Sequence, residues 1–507
     1  MELKVKILDI ETGKYVVLMN DEDARDLGIH ASDRVDISAD SGAITSMINI
    51  TESSILEGGI GIFDEVKRAL GLKEGDVVKV SSARRPKSIE YIRKKVDGFK
   101  LNDYEIKTII RDIVDNNLSD IELSGFITAS YIHPADTNET IAMIRAMVET
   151  GEQMDFGGGV IDKHSIGGVA GNRTTMLLVP IIASSGLIMP KTSSRAITSA
   201  SGTSDTMEVL ANVTFDIEEI KRIVNRTNGC MVWGGAVNLA PADDKIIRVE
   251  YPLSIDPDSQ MLASVLAKKK SVGAKNLIID IPVGKGSKIS NEERGNELAR
   301  KFIEFGSKLD IKVRCLVTDG SSPIGYGIGP ALEAIDVLIA LDNKKFDEKR
   351  VPWDLINKSL DMAGAAFELA DPKLTKGDGR AVAEKILFSG RAMKKMRQII
   401  EAQGGNPEIS ADDIEVGDKT HVITSDRKGK VRFISNWRIA QVARAAGAPK
   451  NKQAGVYLGV GVGDSVKAGD PLFTIYSKSE NKLEQAIALS AALKPVQVGG
   501  VIIGEVF

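Results

Sequence analysis

Two segments of the chain combine glycine, hydroxyl and cationic side chains in patterns that suit anion binding. The first, DKHSIGGVAGNRTT at 162–175, places Lys163 and Ser165 before a Gly-Gly pair and ends in two threonines. Glycine permits the positive φ angles that turn successive backbone N–H groups toward one point, and such turns bind anions. This segment therefore predicts a phosphate-binding turn.

The second segment, KTSSRAITSASGTSDTMEVL at 191–210, is rich in small hydroxyl donors. Arg195 adds a guanidinium, whose planar fork matches phosphate oxygens. Small residues near a helix start also serve as caps and packing spacers, so one such loop alone would be weak evidence. Neither segment matches the GxxxxGK[ST] or GxGxxG patterns, which argues against a nucleoside triphosphatase or a dehydrogenase.

These loops must be positioned by strands, and the surrounding pattern predicts an α/β sheet. After Met154, short apolar runs such as VIDKHSIGGV, NLIIDIPVG and IKVRCLVTDG alternate with helical stretches. The segment from residue 85 instead repeats apolar residues every three or four positions, which predicts helices. We predict an N-terminal β-rich barrel at 1–84, a helical domain at 85–155 with a second segment at about 243–272, an α/β domain at 156–242 and 273–405, and a C-terminal α+β domain at 406–507.

The barrel prediction rests on an internal repeat. DEDARDLGIHASDRVDIS at 21–38 aligns with DEVKRALGLKEGDVVKVS at 64–81, including Leu27-Gly28 with Leu70-Gly71. Each copy reads as a helix, a turn and a strand. A duplicated unit of this kind predicts a small pseudo-symmetric β-barrel.

Composition bounds the remaining functions. The chain has 507 residues and a net charge of −4, without the basic excess typical of nucleic-acid binders. Its N-terminus lacks the apolar core of a signal peptide and no stretch is long enough to span a membrane, so we expect a cytoplasmic protein. Cys230 and Cys315 lie far apart, which favours two buried thiols over a disulfide or a zinc site.

Five motifs together resemble the thymidine and pyrimidine-nucleoside phosphorylase family. They are DKHSIGGV, SSRAITSASGTSD, NLAPAD at 238–243, ASVLAKK at 263–269 and AQGGNP at 402–407. With the extra N-terminal domain, the chain is similar to the archaeal branch that acts on nucleoside 5'-monophosphates. The resemblance implies a class II-like α/β fold with a helical domain facing an α/β domain across a cleft. It also implies AMP or another nucleoside monophosphate and inorganic phosphate as substrates, no further cofactor or metal, and a homodimer or larger homo-oligomer.

The resemblance also implies roles for individual residues. It places Lys163, Ser165, Ser193 and Thr203 on the attacking phosphate. It places the nucleotide on Gly168, Ser194, Arg195, Ala196, Ile197, Thr198, Ser199, Thr203, Ser264 and Lys288. His164, Thr175 and Lys268 are further candidates, with a structural role for His164 equally open. Lys288 on a solvated turn is the simpler alternative to a 5'-phosphate contact.

One departure from the family bears on the base. Pyrimidine-nucleoside phosphorylases carry an Arg about fifteen residues before the Ser that corresponds to Ser264, but Val249 or Glu250 stands there, and Arg248 fits only with a bulge. Asp256 in LSIDPDSQ instead resembles the proton donor of the nucleotide-specific branch. A carboxylic acid beside a purine nitrogen would neutralise the departing base, provided that burial or nearby negative charge raises its pKa. A helix N-cap is the alternative role for Asp256.

Two other functions stay open at this point. The first is a phosphorylase of unphosphorylated pyrimidine nucleosides. The second is a carrier or scaffold protein, because GDSVKAGDPLFTIYSKSE resembles half of a biotinyl or lipoyl domain. Those domains carry a modified Lys at a hairpin tip, whereas Lys478 is out of register.

Overall fold

The computed structural model describes residues 1–196, 199–255, 257–342, 345 and 348–499. Two compact units make up the chain. The first comprises Met1–Gly151 and Ala240–Ala267, and the second comprises Glu152–Leu239 and the chain from Lys268 onward. The predicted domain boundaries within these units stay predictions.

The first unit begins with a closed barrel, which confirms the predicted architecture of this region. Its strands close in the order β1-β5-β2-β4-β3-β6, and alternate residues such as Val35 and Ile37 are fully buried inside. The elements are β1 (Glu2–Ile7), β2 (Val16–Asn20), α1 (Asp21–Leu27), β3 (Arg34–Ala39), β4 (Gly42–Thr51), β5 (Gly59–Ile62), α2 (Asp64–Leu70) and β6 (Val77–Ser82).

The sequence repeat corresponds to a structural repeat. Both short helices end at a glycine in the left-handed region, Gly28 at φ 66° and Gly71 at φ 61°. A strand follows each helix, and these two strands, β3 and β6, pair antiparallel. The two copies of the repeat are therefore joined directly in the barrel wall through their strands.

Four helices follow the barrel in the first unit: α3 (Ser88–Val96), α4 (Asp103–Val114), α5 (Asp120–Ile132) and α6 (Thr137–Glu149). Asn102, Ser119 and Asp136 each accept a backbone N–H at the start of the next helix, with a glutamate three residues later completing a capping box. These caps satisfy N–H groups that a helix start leaves without partners.

The second unit is built on parallel strands. In chain order its first part contains β7 (Ile161–Ser165), α7 (Thr174–Ala183), β8 (Met189–Ser193), α8 (Thr203–Met207), α9 (Ile217–Thr227) and β9 (Gly229–Trp233). The chain then passes through α10 (Pro241–Leu253), which belongs to the first unit, and α11 (Asp258–Ser271). It continues with β10 (Asn276–Val283), α12 (Glu292–Lys308), β11 (Lys312–Asp319), β12 (Gly327–Ile328), α13 (Pro330–Leu341), α14 (Trp353–Ala370), α15 (Asp378–Phe388) and α16 (Arg391–Ala402).

The strand order brings the predicted loops to one edge. Strands β11, β10 and β7 form one parallel sheet, and β8 pairs in parallel with β9. A bridge between Val160 and Ile188 connects the two sheets in the same direction. Because the carboxyl ends of parallel strands lie at one edge, the loops after β7, β8 and β10 emerge together.

The core of this region forms around α7. All ten of its residues are buried, which is expected of a helix that is apolar on every side. Helix α7 follows the glycine turn directly. The turn is therefore anchored at its C-terminal end to the most buried helix of the unit.

The remaining chain adds a C-terminal region to the same unit. It contains β13 (Lys419–Thr424), β14 (Gly429–Ile434), α17 (Asn436–Ala445), β15 (Gly455–Leu458), β16 (Ser465–Val466), β17 (Pro471–Ser477), α18 (Glu480–Leu493) and β18 (Val496–Gly499). Strand β15 pairs with β12, so the C-terminal region shares a sheet with the α/β region. Within the described part of the chain, no helix has the length and apolar character required to cross a bilayer.

Candidate functional site

The end of β7 carries a cluster of polar side chains joined by several hydrogen bonds. Its centre is Asp280 on β10, whose carboxylate is fully buried. One of its oxygens, Oδ2, accepts hydrogen bonds from Ser165 Oγ at 2.8 Å and Asn172 Nδ2 at 3.0 Å. The other, Oδ1, accepts from Thr318 Oγ1 at 2.7 Å. The carboxylate thereby fixes the orientation of the Ser165 hydroxyl at the start of the glycine turn.

Lys163 lies in the same cluster, with only 2% of its side chain exposed. Its Nζ donates to Thr174 Oγ1 at 3.0 Å and lies 3.9 Å from Asp280 Oδ2. Burial lowers the pKa of Lys163 to about 8, although the charge of Asp280 opposes that change. The ammonium therefore predominates at neutral pH but is lost a little above it.

The other face of β7 carries a second buried group of charges. Asp162 is fully buried and lies 2.6 Å from Lys269 Nζ and 3.3 Å from Lys191 Nζ. These lysines hold the pKa of Asp162 below its usual value, against the effect of burial. Among the described residues, four lysines lie within 4 Å of a carboxylate oxygen of Asp162 or Asp280: Lys163, Lys191, Lys269 and Lys358. When all are ionised, the described groups around β7 carry an excess of positive charge, which favours an anion.

His164 lies in β7 between Lys163 and Ser165. Burial, followed by the charges of Lys269, Lys191, Lys163 and Lys268, holds the pKa of His164 well below 6.5. The imidazole is therefore neutral near pH 7. A neutral imidazole is a weak proton donor, which favours a positioning role over acid catalysis.

The glycine turn after β7 has the backbone conformation that its sequence predicts. Gly167, Gly168 and Gly171 have φ angles of 93°, 90° and 71°. Gly168 also packs tightly against the loop after β10: a Cβ atom there would lie 2.4 Å from the backbone nitrogen of Lys288. The structure thus brings Gly168 and the exposed Lys288 together, although they are 120 residues apart in the sequence.

This contact makes a sharp prediction for Gly168→Ala. A methyl group would face both an unfavourable φ and a collision with backbone, so the loop that carries Lys288 must move. We expect kcat/KM for the nucleotide to fall by about 10- to 100-fold, the range that corresponds to 1.4–2.8 kcal/mol of transition-state binding.

Gly167→Ala is the matched control. Its φ is almost the same, but a Cβ there meets nothing within 4 Å. Both variants incur the dihedral cost of about 1–2 kcal/mol in stability. Steady-state kinetics with thermal melts measure the difference, and equal kinetic losses in the two variants would contradict the role assigned to the contact.

Asn436 holds the glycine turn from the C-terminal region. It is 2% exposed, and its Oδ1 accepts from the backbone N–H of Ala170 at 2.9 Å. Its Nδ2 donates to the carbonyl oxygen of Gly320 at 2.9 Å. This single amide therefore connects the turn after β7 with the loop after β11.

The hydroxyl-rich loop after β8 is fixed mainly by its own acidic residues. Arg195 forms a bidentate ion pair with Glu208, at 2.5 and 2.7 Å, and lies 5.0 Å above the ring of Trp233. Glu208 also pairs with Lys452 at 2.9 Å, and these cations lower its pKa to about 2. The Arg195 guanidinium, which the sequence pattern suits to phosphate, is thus paired with the Glu208 carboxylate. To contact a nucleotide, Arg195 must either keep Glu208 as a second partner or release it.

The start of α8 supports the same loop. Asp205 accepts from the backbone N–H of Ala196 at 2.7 Å and of Gly202 at 2.9 Å. Ser193 Oγ lies 3.0 Å from Ser204 Oγ, and Thr203 is half-buried beside them. Ser194 and Ser199 are exposed, whereas Ile197 and Thr198 lie outside the described residues.

The remaining candidates lie in different settings. Ser264, in the first unit, donates to Asp243 Oδ2 at 2.9 Å. Lys268, half-buried at the other end of α11, belongs to the second unit. Thr175 is buried in α7, and it is the preceding threonine, Thr174, whose hydroxyl meets Lys163. Asp256 lies outside the described residues.

The structure also shows what Arg248 does. Its Nη1 donates to the carbonyl oxygen of Gly13 at 3.0 Å, and its Nη2 lies 3.3 Å from Asp120. Both partners belong to the first unit, in its barrel and helical parts. Arg248 therefore links elements within that unit. This argues against the idea that Arg248 takes the role of the arginine that reads the pyrimidine in the pyrimidine-nucleoside phosphorylases.

Sequence reasoning missed Asp280, Thr318 and Lys358, which build this cluster, and Asn436, which holds the glycine turn. A faint signal existed for Asp280, which is a lone carboxylate inside the buried strand NLIIDIPV. The other three residues carry no local signal. Their burial and their partners depend on contacts between segments that are far apart in the sequence.

Comparison with known proteins agrees with this architecture. Three family models match: a glycosyl transferase family helical bundle domain at residues 89–151, a glycosyl transferase family a/b domain at 157–256, and a pyrimidine nucleoside phosphorylase C-terminal domain at 430–494. The last match favours a phosphorylase over a carrier domain for the segment that contains Lys478. A solved structure of anthranilate phosphoribosyltransferase (TrpD) from Thermus thermophilus, 18% identical, covers 62% of this chain and 98% of its own with a TM-score of 0.52. That likeness bears on the fold alone.

Curated relatives extend over the whole chain, including the barrel. AMP phosphorylase 1 of Archaeoglobus fulgidus is 46% identical over 504 residues, which are 99% of this chain and 98% of the relative. AMP phosphorylase of Thermococcus kodakarensis is 46% identical over 507 residues, covering 100% and 99%. AMP phosphorylase of Methanocaldococcus jannaschii is 47% identical over 504 residues, covering 99% of each chain.

Proposed function

The chain belongs to the AMP phosphorylase family, and from that premise we propose that it uses inorganic phosphate to cleave AMP, releasing adenine and ribose 1,5-bisphosphate. The enzyme is a pentosyltransferase. The observation that carries this assignment is an identity of about 46% with AMP phosphorylases along the entire chain. CMP and UMP are further substrates in the proposal, because the reacting bond and the 5'-phosphate are the same.

Inorganic phosphate binds, in this proposal, at the carboxyl ends of β7 and β8. Lys163 supplies charge, Ser165 and Ser193 supply hydroxyl groups, and Thr203 adds another at the start of α8. Lys163 is oriented before the substrate arrives, since one of its three N–H groups donates to Thr174, whereas the single hydroxyl hydrogen of Ser165 points at Asp280 and must turn from it to reach phosphate. Preorganised donors of this kind each contribute several kcal/mol to a transition state, at about 2.7–4 kcal/mol per donor.

The nucleotide contacts are proposed for Gly168, for the loop from Ser194 to Ser199, and for Thr203, Ser264 and Lys288. Lys288 is suited to the 5'-phosphate because its backbone lies against Gly168 and its side chain is exposed. Two anions must approach each other in this reaction. Separate cations for the free phosphate and for the ester phosphate offset their repulsion.

Asp256 is proposed as the acid that protonates the departing base. Cleavage of the N-glycosidic bond leaves charge on the base while the sugar gains oxocarbenium character, so a proton at a ring nitrogen lowers the barrier. His164, being neutral near pH 7, is assigned the task of positioning groups at the end of β7.

A direct assay tests the assignment. The protein is incubated with AMP and phosphate, and adenine and ribose 1,5-bisphosphate are quantified by chromatography and mass spectrometry. Uridine and thymidine in parallel test the alternative of a pyrimidine-nucleoside phosphorylase. Preference for the unphosphorylated nucleosides, or release of base without phosphate, would contradict the proposal.

The barrel and the C-terminal domain are proposed to mediate assembly into a homodimer or larger homo-oligomer, because the resemblance to the shorter phosphorylases begins after the barrel and catalysis does not account for it. The barrel is joined to the helical part of the first unit by an ion pair between the largely buried Arg34 and Glu122. Light scattering compares the mass of the full chain with that of a variant lacking residues 1–84. We expect a smaller assembly for that variant, and an unchanged number of subunits would defeat this role.

A further inference from the structure

Lys358 on α14 reaches the same carboxylate as Lys163. Its Nζ lies 3.2 Å from Asp280 Oδ1, and 12% of its side chain is exposed. The nitrogen atom itself is buried, and it has no hydrogen-bond partner among the residues that the structure describes. The geometry therefore shows a close ion pair in which the ammonium hydrogens remain unsatisfied.

Such a group is unusual in a protein interior. An ammonium carries three N–H donors, and burial of an unsatisfied charged donor is strongly unfavourable. Asp280 Oδ1 already accepts from Thr318 Oγ1, and its Oδ2 accepts from Ser165 and Asn172. The carboxylate is therefore crowded with donors, and the Lys358 ammonium still has hydrogens to offer to another acceptor.

The charges point in the same direction. Lys163 and Lys358 both lie within 4 Å of Asp280, and one carboxylate balances only one of them. The remaining positive charge is next to the Ser165 hydroxyl, at the start of the glycine turn. An anion with several acceptor oxygens would satisfy both the spare charge and the spare donors.

We propose that the ammonium of Lys358 binds the inorganic phosphate together with Lys163, with Asp280 holding the two cations on either side of its carboxylate. This inference rests on the proposed function, since it adds a residue to the same phosphate site. The alternative is a purely structural lysine that neutralises Asp280.

The two roles differ in what Lys358→Met changes. As a phosphate ligand, Lys358 is needed for phosphate but not for AMP. We expect the KM for phosphate to rise about 10- to 100-fold, the usual effect of losing one charged hydrogen bond. The KM for AMP should stay within about threefold of the wild-type value. Lys358→Arg keeps the charge and should recover most of the phosphate affinity.

A pH profile tests the electrostatic part of this arrangement, because it reports on the charge of Lys163, whereas the two KM values separate a phosphate ligand from a structural lysine. Lys163 faces Asp162 on its own strand, Asp280 on β10, Lys358 on α14 and Lys269 on α11, and Lys358 is one of the charges that lower its pKa. Removal of the Lys358 charge favours the protonated form of Lys163. The alkaline limb of kcat/KM for phosphate should therefore move to higher pH in Lys358→Met.

The experiment measures both KM values, the pH profile and the melting temperature for the full-length variants. Lys395→Met, on α16 outside the Asp280 cluster, is the matched control for loss of a partly buried lysine. Calorimetric titration with inorganic phosphate alone measures binding without turnover. Lys358→Gln replaces Lys358→Met in every measurement if the methionine variant does not fold.

A folded variant whose KM for phosphate stays within about twofold of wild type would overturn the inference, as would an equal rise in both KM values. Failure of the proposed function looks different: the wild-type protein would release no adenine from AMP and phosphate. In that case the titration still decides the role of Lys358, because weaker phosphate binding by the variant supports it and equal binding refutes it.

Discussion

Lys163→Met is expected to lower kcat/KM for phosphate by about 10²- to 10³-fold, the loss that follows removal of one preorganised group facing transition-state charge. The fold should survive this change, because Asp280 keeps its ion pair with Lys358 and its hydrogen bonds from Ser165 and Thr318. Initial-rate kinetics at varied phosphate, with a thermal melt, measure the two effects separately.

The pH dependence of the wild-type enzyme provides a second test of Lys163. Burial lowers the pKa of this lysine to about 8, and only the protonated form attracts phosphate. When kcat/KM is expressed for a single ionic form of phosphate, so that the ionisation of phosphate itself is removed, it should therefore fall as pH rises through that pKa. Guanidinium groups remain protonated throughout this range, so Lys163→Arg should lack this limb if it retains activity.

Lys395→Met serves again as the control, since it removes a partly buried lysine without touching the polar cluster at β7. A folded Lys163→Met variant whose kcat/KM for phosphate equals that of the wild type would refute the phosphate site at the end of β7.

Asp256→Asn is expected to lower kcat for AMP by about 10²- to 10⁴-fold, the contribution typical of general acid catalysis. Asparagine keeps the size and polarity of the side chain but cannot deliver a proton. The binding of phosphate, measured by titration, should be unchanged, because the proposal assigns Asp256 no role in phosphate binding.

The nature of the leaving base tests the acid role more specifically. A nucleotide whose base departs as a stable anion needs little protonation, so its kcat should fall much less in Asp256→Asn than that of AMP. Asp258→Asn, in the first turn of α11, is the control for loss of a nearby carboxylate. An equal loss for both kinds of base would indicate that Asp256 acts structurally, for example as a helix cap.

Much of the candidate site was accessible from the sequence because its signals are local. Gly167, Gly168 and Gly171 stand where positive φ angles are needed, and the structure has them there. The repeat at 21–38 and 64–81 likewise predicted the barrel, since each copy carries its own helix end, turn and strand. Such features depend on neighbours within one or two turns of chain.

The contacts between these segments could not be predicted in the same way, because they join residues that are far apart in the sequence. Ser165 meets Asp280 across 115 positions, and Ala170 meets Asn436 across 266. Neither the Asp in a buried strand nor the Asn at a helix start differs in sequence from many structural residues. Their roles follow only from the order of the parallel strands and from the packing of α17 against the turn.

The sequence by itself determined the chemistry that the chain carries: a lysine and hydroxyl groups beside glycines, a duplicated barrel and an alternation of strands and helices. The tertiary structure decided which groups pair with each other and which are charged. It places two lysines beside Asp280, pairs Arg195 with a carboxylate and leaves His164 neutral. The reason is physical. Backbone conformation and amphipathic period are set by adjacent residues, whereas burial, ion pairing and pKa depend on which distant segments fold against each other.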